Sequence, residues 1–454
     1  MSLLIVLLSL LAVVSGYLFP TSSKTSLKSR INRGKIIKLK GYNDVIETKQ
    51  FNDLQEGIKY RNLVGTDIKV SELCLGTMLY GEQVSKEDAF LQMDLAKNMG
   101  INFIDTAESY PVPSAPTTSG KTEEIIGQYL KKKGNSRNDF VISTKVSGFS
   151  EHMEWMRKDG GETRLNKKQL IEAVDNQLLR LGTDYIDLLQ LHWPDRYTPL
   201  WGAPSYDYSL ERPDFVSFKD QLEVIKILID SGKIRSFGLS NETPYGLASF
   251  CNAADMYDLP KPVALQNCYN LLVRNDFETG MSEACSPQNG NVGLLAYSPL
   301  AGGALTGKYL DLSTCSIESR MRKYVGYMHR YIAPPSINAV EAYMKVANDF
   351  ALPLEAISLA FVYSRPFVTS TIIGASSLNQ LKSNILALNL PIRGDLETAI
   401  NDVYRSHMDP SKGVFDVIDP NVEYVDPSKL PWGARDVDVD PELDVLINQR
   451  LSKL

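Results

Sequence analysis

The 454-residue sequence is poor in the residues that build metal centres and disulfide frameworks. Its five cysteines (Cys74, Cys251, Cys268, Cys285, Cys315) are odd in number, scattered, and form no C-x-x-C pair. A disulfide scaffold and a zinc ribbon are thereby excluded. The four histidines, His152, His192, His329 and His407, stand alone, so no metal site is expected. Positive charge is also not in excess. A formal net charge of -6 leaves no strongly basic domain to neutralise phosphates, and no nucleic-acid partner is expected. The apolar run Leu3–Val14 is too short to span a bilayer, so no stable membrane insertion of the mature chain is expected.

The N-terminus reads as a targeting segment. Leu3–Val14 has the size of a signal-peptide core and ends near the small residues Ser15 and Gly16, although no Lys or Arg precedes it. Residues 20–41 then carry Lys24, Lys28, Arg30, Arg33, Lys35, Lys38 and Lys40 among many Ser and Thr, and the first acidic residue is Asp44. A signal-like stretch (1–19) followed by a basic, transit-like one (20–41) matches a bipartite plastid presequence, cleaved from the mature protein. Simple secretion is the alternative. Residues 44–56 read as a linker, and 57–70 alternate on both sides of a Gly-containing turn, as a hairpin does.

From there the chain carries enough apolar residues, 43%, to build a large core. Strands are expected at 72–76, 101–105, 140–145, 186–192, 234–239, 263–267, 292–297 and 369–373. Helices are expected at 85–98, 121–133, 167–181, 216–231, 244–256, 275–284, 336–350 and 377–387. Leu170, Val174, Leu178 and Leu181 recur at helical spacing between a capping Asn166 and a closing Gly182. Eight strand–helix pairs predict an α/β protein, a (β/α)8 TIM barrel. An open doubly wound sheet is the rival, but Leu75-Gly76-Thr77-Met78 is not the glycine-rich turn such a sheet places after its first strand.

Three apolar runs end abruptly in ionisable residues. Ile101–Ile104 stops at Asp105, with Tyr110 five residues on; Phe140–Thr144 stops at Lys145; Ile186–Leu191 stops at His192. In a barrel these side chains would gather at the C-terminal mouth, where the chemistry is done. Long loops leave that mouth at 146–166, 193–215 and 298–335. The second is rich in aromatics (Trp193, Tyr197, Trp201, Tyr206, Tyr208, Phe215), which suits either an apolar pocket wall or a self-packed loop.

The segments GINFIDTAESY, VISTKV, DYIDLLQLHWPD, GKIRSFGLSNET, LQNCYNLL, LLAYSPLAGGALTGKY and STIIGASSLNQLKSNI resemble the aldo-keto reductases. The likeness runs from about residue 57 to 406 and is nearest to the bacterial Tas-type branch, with which it shares Tyr110-Pro111-Val112-Pro113. The resemblance implies an NADP-dependent oxidoreductase that reduces an aldehyde or ketone to an alcohol. Asp105, Tyr110, Lys145 and His192 match the family's tetrad, with Tyr110 as proton donor. The chemistry asks for these types. Hydride delivered to a carbonyl leaves an alkoxide that needs an acid beside it. An ammonium at Lys145, held by Asp105, is expected to lower the phenol's pKa, and an imidazole can orient the carbonyl oxygen.

For NADP(H) the resemblance implies contacts from Ser240, Asn241 and Gln266 to the nicotinamide amide and a stacking Tyr297. Gly374-Ala375-Ser376-Ser377, at a strand end opening into a helix, offers backbone N–H groups to a phosphate, and Gln380 and Asn384 match the adenosine-end contacts. Better-known members place Lys and Arg near Gly374 and Gln380 to grip the 2′-phosphate; here Lys308 and Arg320 are expected to supply that charge. Gly302–Lys308 reads G-x-x-x-x-G-K, but Tyr309 stands where a P-loop needs Ser or Thr. Residues 407–454 form an acidic extension beyond the likeness. A nucleotide-binding, redox-sensing regulatory subunit on the same barrel, like the potassium-channel β subunits, is the alternative function.

Overall fold

The computed structural model describes residues 57–412, apart from 133–136, 204 and 325. The expected presequence, the whole of the linker 44–56 and nearly all of the C-terminal extension lie outside the described residues.

Eight strands pair in chain order and all in parallel: β3 (Leu73–Gly76), β4 (Phe103–Asp105), β5 (Val141–Val146), β6 (Ile186–Leu191), β7 (Ile234–Ser240), β8 (Ala264–Cys268), β9 (Gly293–Tyr297) and β10 (Val368–Ile373). Strand β10 returns to β3 through Thr371–Leu73, Ile372–Cys74 and Ile373–Leu75, closing the barrel. The fold is the expected (β/α)8 barrel. Parallel strands need long crossovers, and helices supply them. The helix Lys167–Leu181, for example, begins where Asn166 accepts from the Gln169 N–H and ends at Gly182 with φ 62°.

Side chains along a strand alternate between the interior and the helix-facing side. Cys74, Phe103, Val141, Leu188, Ala264, Leu295 and Ile372 form one apolar cluster, and Leu63, Ile68 and Val70 join it. Those last three come from the hairpin β1 (Tyr60–Asn62) and β2 (Lys69–Ser71), which stoppers the N-terminal end of the barrel. Two positions further along the strands the same row turns polar: Asp105, Ser143, Gln190 and Gln266, all buried. The interior is therefore sealed below and chemical above.

Two helices depart from expectation. Leu354–Tyr363, which lies between the helix expected at 336–350 and the strand expected at 369–373, is helical, with buried residues on all sides (Leu354, Ala356, Ile357, Ser358, Leu359, Ala360, Phe361, Val362). A helix wrapped in core has no polar face, so its sequence shows no 3.6-residue period. The single helix expected over 275–284 is two short ones, Asn275–Glu278 and Gly280–Cys285, parted at Thr279. A further helix, Gly394–Ser406, follows the barrel and buries Leu396, Ile400 and Val403. No single helix among the described residues is long and apolar enough to cross a membrane.

Candidate active site

At the C-terminal mouth the exits of β4, β5 and β6 converge. Lys145 is fully buried, and its Nζ donates to Asp105 Oδ2 at 2.6 Å, to the Thr106 carbonyl at 2.8 Å and to Tyr110 Oη at 3.4 Å. The imidazole of His192 meets the Tyr110 ring edge-on, with centroids 5.7 Å apart. Asp105, Tyr110, Lys145 and His192 thus share one cluster although 87 residues separate the first from the last.

The other oxygen of Asp105 is held as firmly. Gln266 Nε2 donates to Oδ1 at 2.8 Å and Gln190 Nε2 at 3.2 Å. Gln190, which also donates to Ser143 Oγ at 2.6 Å, escaped the sequence reading. Its signal was there: it lies two residues before His192, on the same face of β6.

Burial sets the electrostatics. It opposes the charge on Lys145, but Asp105 and Tyr110 outweigh it and hold the ammonium above its ordinary pKa. For the Tyr110 phenol, burial wins. Its pKa is pushed up, with Lys145 pulling down less strongly. The net lowering expected from the sequence is therefore reversed, because one cation cannot offset the loss of water around a phenolate. Burial, assisted by Lys145, drives His192 well below the usual imidazole range, so this ring is neutral at pH 7. Its Nδ1 is buried without a partner among the described residues.

Beside this cluster lie the residues expected to hold a nicotinamide. Asn241 sits in the left-handed region (φ 52°) and donates through Nδ2 to the His192 carbonyl at 2.8 Å and to Ser240 Oγ at 3.2 Å. Tyr297 Oη donates to Asn241 Oδ1 at 2.6 Å. Gln266 alone points elsewhere, toward Asp105. Beyond β10, Ser376 donates through N–H and Oγ to Gln380 Oε1, both at 2.9 Å, and Asn384 Nδ2 donates to the Gly374 carbonyl at 3.3 Å. Lys308 and Arg320 come from the long loop after β9. Burial and the charge of Arg320 both push Lys308 below its ordinary pKa. Neither cation has a carboxylate partner among the described residues, and Arg320 Nε is buried unpaired. Gly302–Lys308 forms tight turns in which Gly302 and Gly303 take positive φ, not the start of a long helix as a P-loop does.

The aromatic loop divides. Trp193 packs against His192, with centroids 4.8 Å apart, and Trp201 follows at 6.0 Å, so these two wall the mouth. Trp193 is set by its Nε1–H bond to the Phe149 carbonyl at 2.8 Å and by Gly148, where a Cβ would collide with the Trp193 carbonyl. Tyr206 and Tyr208 instead pack on each other, and Tyr208 is 81% exposed. Tyr327, from the loop after β9, joins Ala107, Tyr110 and Val112 in a small apolar cluster.

Comparison with known proteins agrees with this geometry. The pattern of the aldo/keto reductase family matches residues 72–405. The chain is 40% identical to Protein tas of Escherichia coli over 355 residues, which is 78% of this chain and 100% of that one. It is 42% identical to an aldo-keto reductase of Babesia bovis over 279 residues, 60% of this chain and 97% of the relative. It is 29% identical to a probable voltage-gated potassium channel subunit beta of Arabidopsis thaliana over 336 residues, 73% of this chain and 92% of the relative. The chain belongs to the aldo/keto reductase family, on its Tas-like side, and is an NAD(P)-dependent oxidoreductase.

Proposed function

We propose that this protein reduces an aldehyde or ketone to the alcohol with NADPH, Tyr110 giving the proton. The observation that carries the reading is the buried Lys145 ammonium, bonded to Asp105 at 2.6 Å and to the Tyr110 hydroxyl at 3.4 Å. Bound cofactor supplies the hydride. As the carbonyl carbon gains that electron pair, Tyr110 Oη releases its proton to the carbonyl oxygen. Lys145, kept charged by Asp105, stabilises the phenolate left behind. Neutral His192 offers a hydrogen bond to the same oxygen without adding a competing charge. Trp193 and Trp201 shape the entrance for an apolar or ring-bearing substrate.

The residues fit the cofactor. Lys308 and Arg320 are two like charges held close together without a carboxylate, an arrangement that favours a polyanion and supports NADPH over NADH. Tyr297, Ser240 and Asn241 would hold the nicotinamide end, and Gly374, Ser376, Gln380 and Asn384 the adenosine end. Gln266 can turn to the carboxamide because Gln190 still donates to Asp105 Oδ1. The test is NADPH oxidation over a panel of aldehydes, ketones and quinones with product analysis. Absence of alcohol product across the panel would remove the reading.

The likeness to channel β subunits supports a second reading, a redox-sensing regulatory subunit on the same barrel. A stoichiometric partner pulled down from native membranes would favour it. For residues 1–41 the composition supports plastid delivery, to be checked by N-terminal sequencing of the native protein and by microscopy of a fluorescent fusion.

A further inference from the structure

A second buried ion pair lies directly behind the Tyr110–Lys145 contact. The side chain of Glu108 is 2% exposed and that of Arg157 is 1% exposed. Their contact is bidentate, Arg157 Nη2 to Glu108 Oε1 at 2.9 Å and Nη1 to Oε2 at 3.0 Å. Glu108 Oε1 also accepts from the Ser147 backbone N–H at 2.8 Å, and the Glu108 N–H donates to the Lys145 carbonyl at 3.2 Å. Arg157 is fixed in turn by Gln169, whose Oε1 accepts from Nε at 3.1 Å.

The positions matter more than the strength. Glu108 stands two residues before Tyr110, and Ser147 two residues after Lys145. The carboxylate therefore ties together the two backbone segments that carry the reacting phenol and its ammonium. Of the three bonds Lys145 makes, the one to Tyr110 is the longest. Lys145 would keep its other two partners if the Tyr110 segment drifted. Simple adhesion between these loops does not need charge, since apolar residues of similar volume serve at least as well. A bidentate fork adds a fixed direction and distance. Burial opposes the charge on Glu108, but Arg157 and the Ser147 N–H more than offset it, so the carboxylate stays ionised and the fork intact at neutral pH.

We infer that Glu108 and Arg157 are positioning residues that set the separation between Tyr110 and Lys145, and through it the acidity of the proton donor. The inference rests on the proposed role of Tyr110. The groups that bear on the Tyr110 hydroxyl are Asp105 from β4, Lys145 from β5, His192 at the end of β6, Tyr297 from β9, and Arg320 and Tyr327 from the loop after β9. Of these, Lys145 is the one whose backbone the Glu108 segment also holds, through the Lys145 carbonyl and the Ser147 N–H.

The experiment compares wild type with Glu108→Gln/Arg157→Met, which removes both charges and leaves none buried alone, so that folding is retained. Tyr110 ionisation is followed by NMR of 13Cζ-tyrosine protein without cofactor, the signal being assigned by its loss in Tyr110→Phe. The expected result is a Tyr110 pKa higher by roughly one unit, because the lowering by Lys145 fades with distance. Turnover should fall about tenfold, by loss of that one unit of donor tuning, with the cofactor KM unchanged. Arg157→Lys, which keeps the charge and loses the fork, should show a smaller shift in the same direction. Unchanged Tyr110 titration and unchanged turnover in the folded double variant would overturn the inference. The NMR arm needs no substrate, so a wild type without carbonyl turnover would sink the reductase reading and leave the brace to stand or fall on the titration.

Discussion

The barrel buries an aspartate near each end, and the two are served differently. Near the N-terminal end, Asp187 receives Arg137 at 2.6 Å, Arg235 at 2.7 Å and the Ile142 N–H at 2.9 Å. Both arginines reach outward, with 15% and 39% of their side chains exposed, so the charge is drained to solvent. Near the C-terminal end, Asp105 receives one lysine with no exposure at all and two glutamine amides. Water cannot share that charge. The lysine that balances it touches a phenol instead. The lower pair holds strands together; the upper pair keeps a proton donor next to a fixed cation, which adhesion alone would not require.

This contrast gives its largest test at Tyr110. Replacing it with Phe removes one oxygen and leaves the Asp105–Lys145 pair intact, so folding and cofactor affinity should persist. Turnover should drop by about 10³-fold, the range lost with a general acid. Stopped-flow or steady-state NADPH oxidation, with a parallel thermal melt, separates the two effects. Equal turnover in the variant would put the upper aspartate in the same structural class as the lower one.

Asp187→Asn probes the other end. It leaves two arginines facing a neutral amide. The cost should be about 2–3 kcal/mol, less than a fully buried pair because Arg235 is solvated. Turnover per folded molecule should not change. Chemical denaturation and active-site titration check the two halves of that statement, and a selective loss of turnover would break the division between ends.

A smaller effect is expected from Arg320→Met. The preference for NADPH over NADH should fall about tenfold, as for loss of one charge-assisted hydrogen bond, with NADH kinetics little altered. Kd values for both cofactors by fluorescence quenching decide it. An equal loss for both would move Arg320 from the 2′-phosphate to a site common to the two nucleotides.

Much of this was legible in the sequence because three of the four tetrad residues end a short apolar run, and a strand that leaves a core must do so where its side chains turn polar. Asp105, Lys145 and His192 announce themselves in that way. Leu354–Tyr363 does not, because its environment is apolar in every direction and erases the period. Leu396, Ile400 and Val403, by contrast, recur at helical spacing and bury one face of their helix. Glu108 and Arg157 were illegible for another reason: they are 49 residues apart, and only the path of the 146–166 loop brings them together. Sequence order locates strand exits well, but it cannot tell which loop returns to which exit.

The smallest expected effect is an absence. His192 is the only tetrad member whose unperturbed pKa, about 6.5, falls in the physiological range. Were it exposed, charging it below that value would place a second cation beside Lys145 and change the proton affinity of the site. Burial and Lys145 both push it well below that range, so it stays neutral. The Tyr110 phenol lies above its ordinary value and stays protonated. Carbonyl reduction needs the protonated phenol, so turnover should fall only as pH rises through the raised Tyr110 pKa, beyond 10. Between about pH 6 and 8, then, turnover at saturating cofactor should vary by less than twofold, with no inflection near the histidine value. A bell with an acid limb near 6.5 would mean that water reaches His192 in the working enzyme, and the claim that the upper charges are shut away from solvent would fail at its most sensitive point.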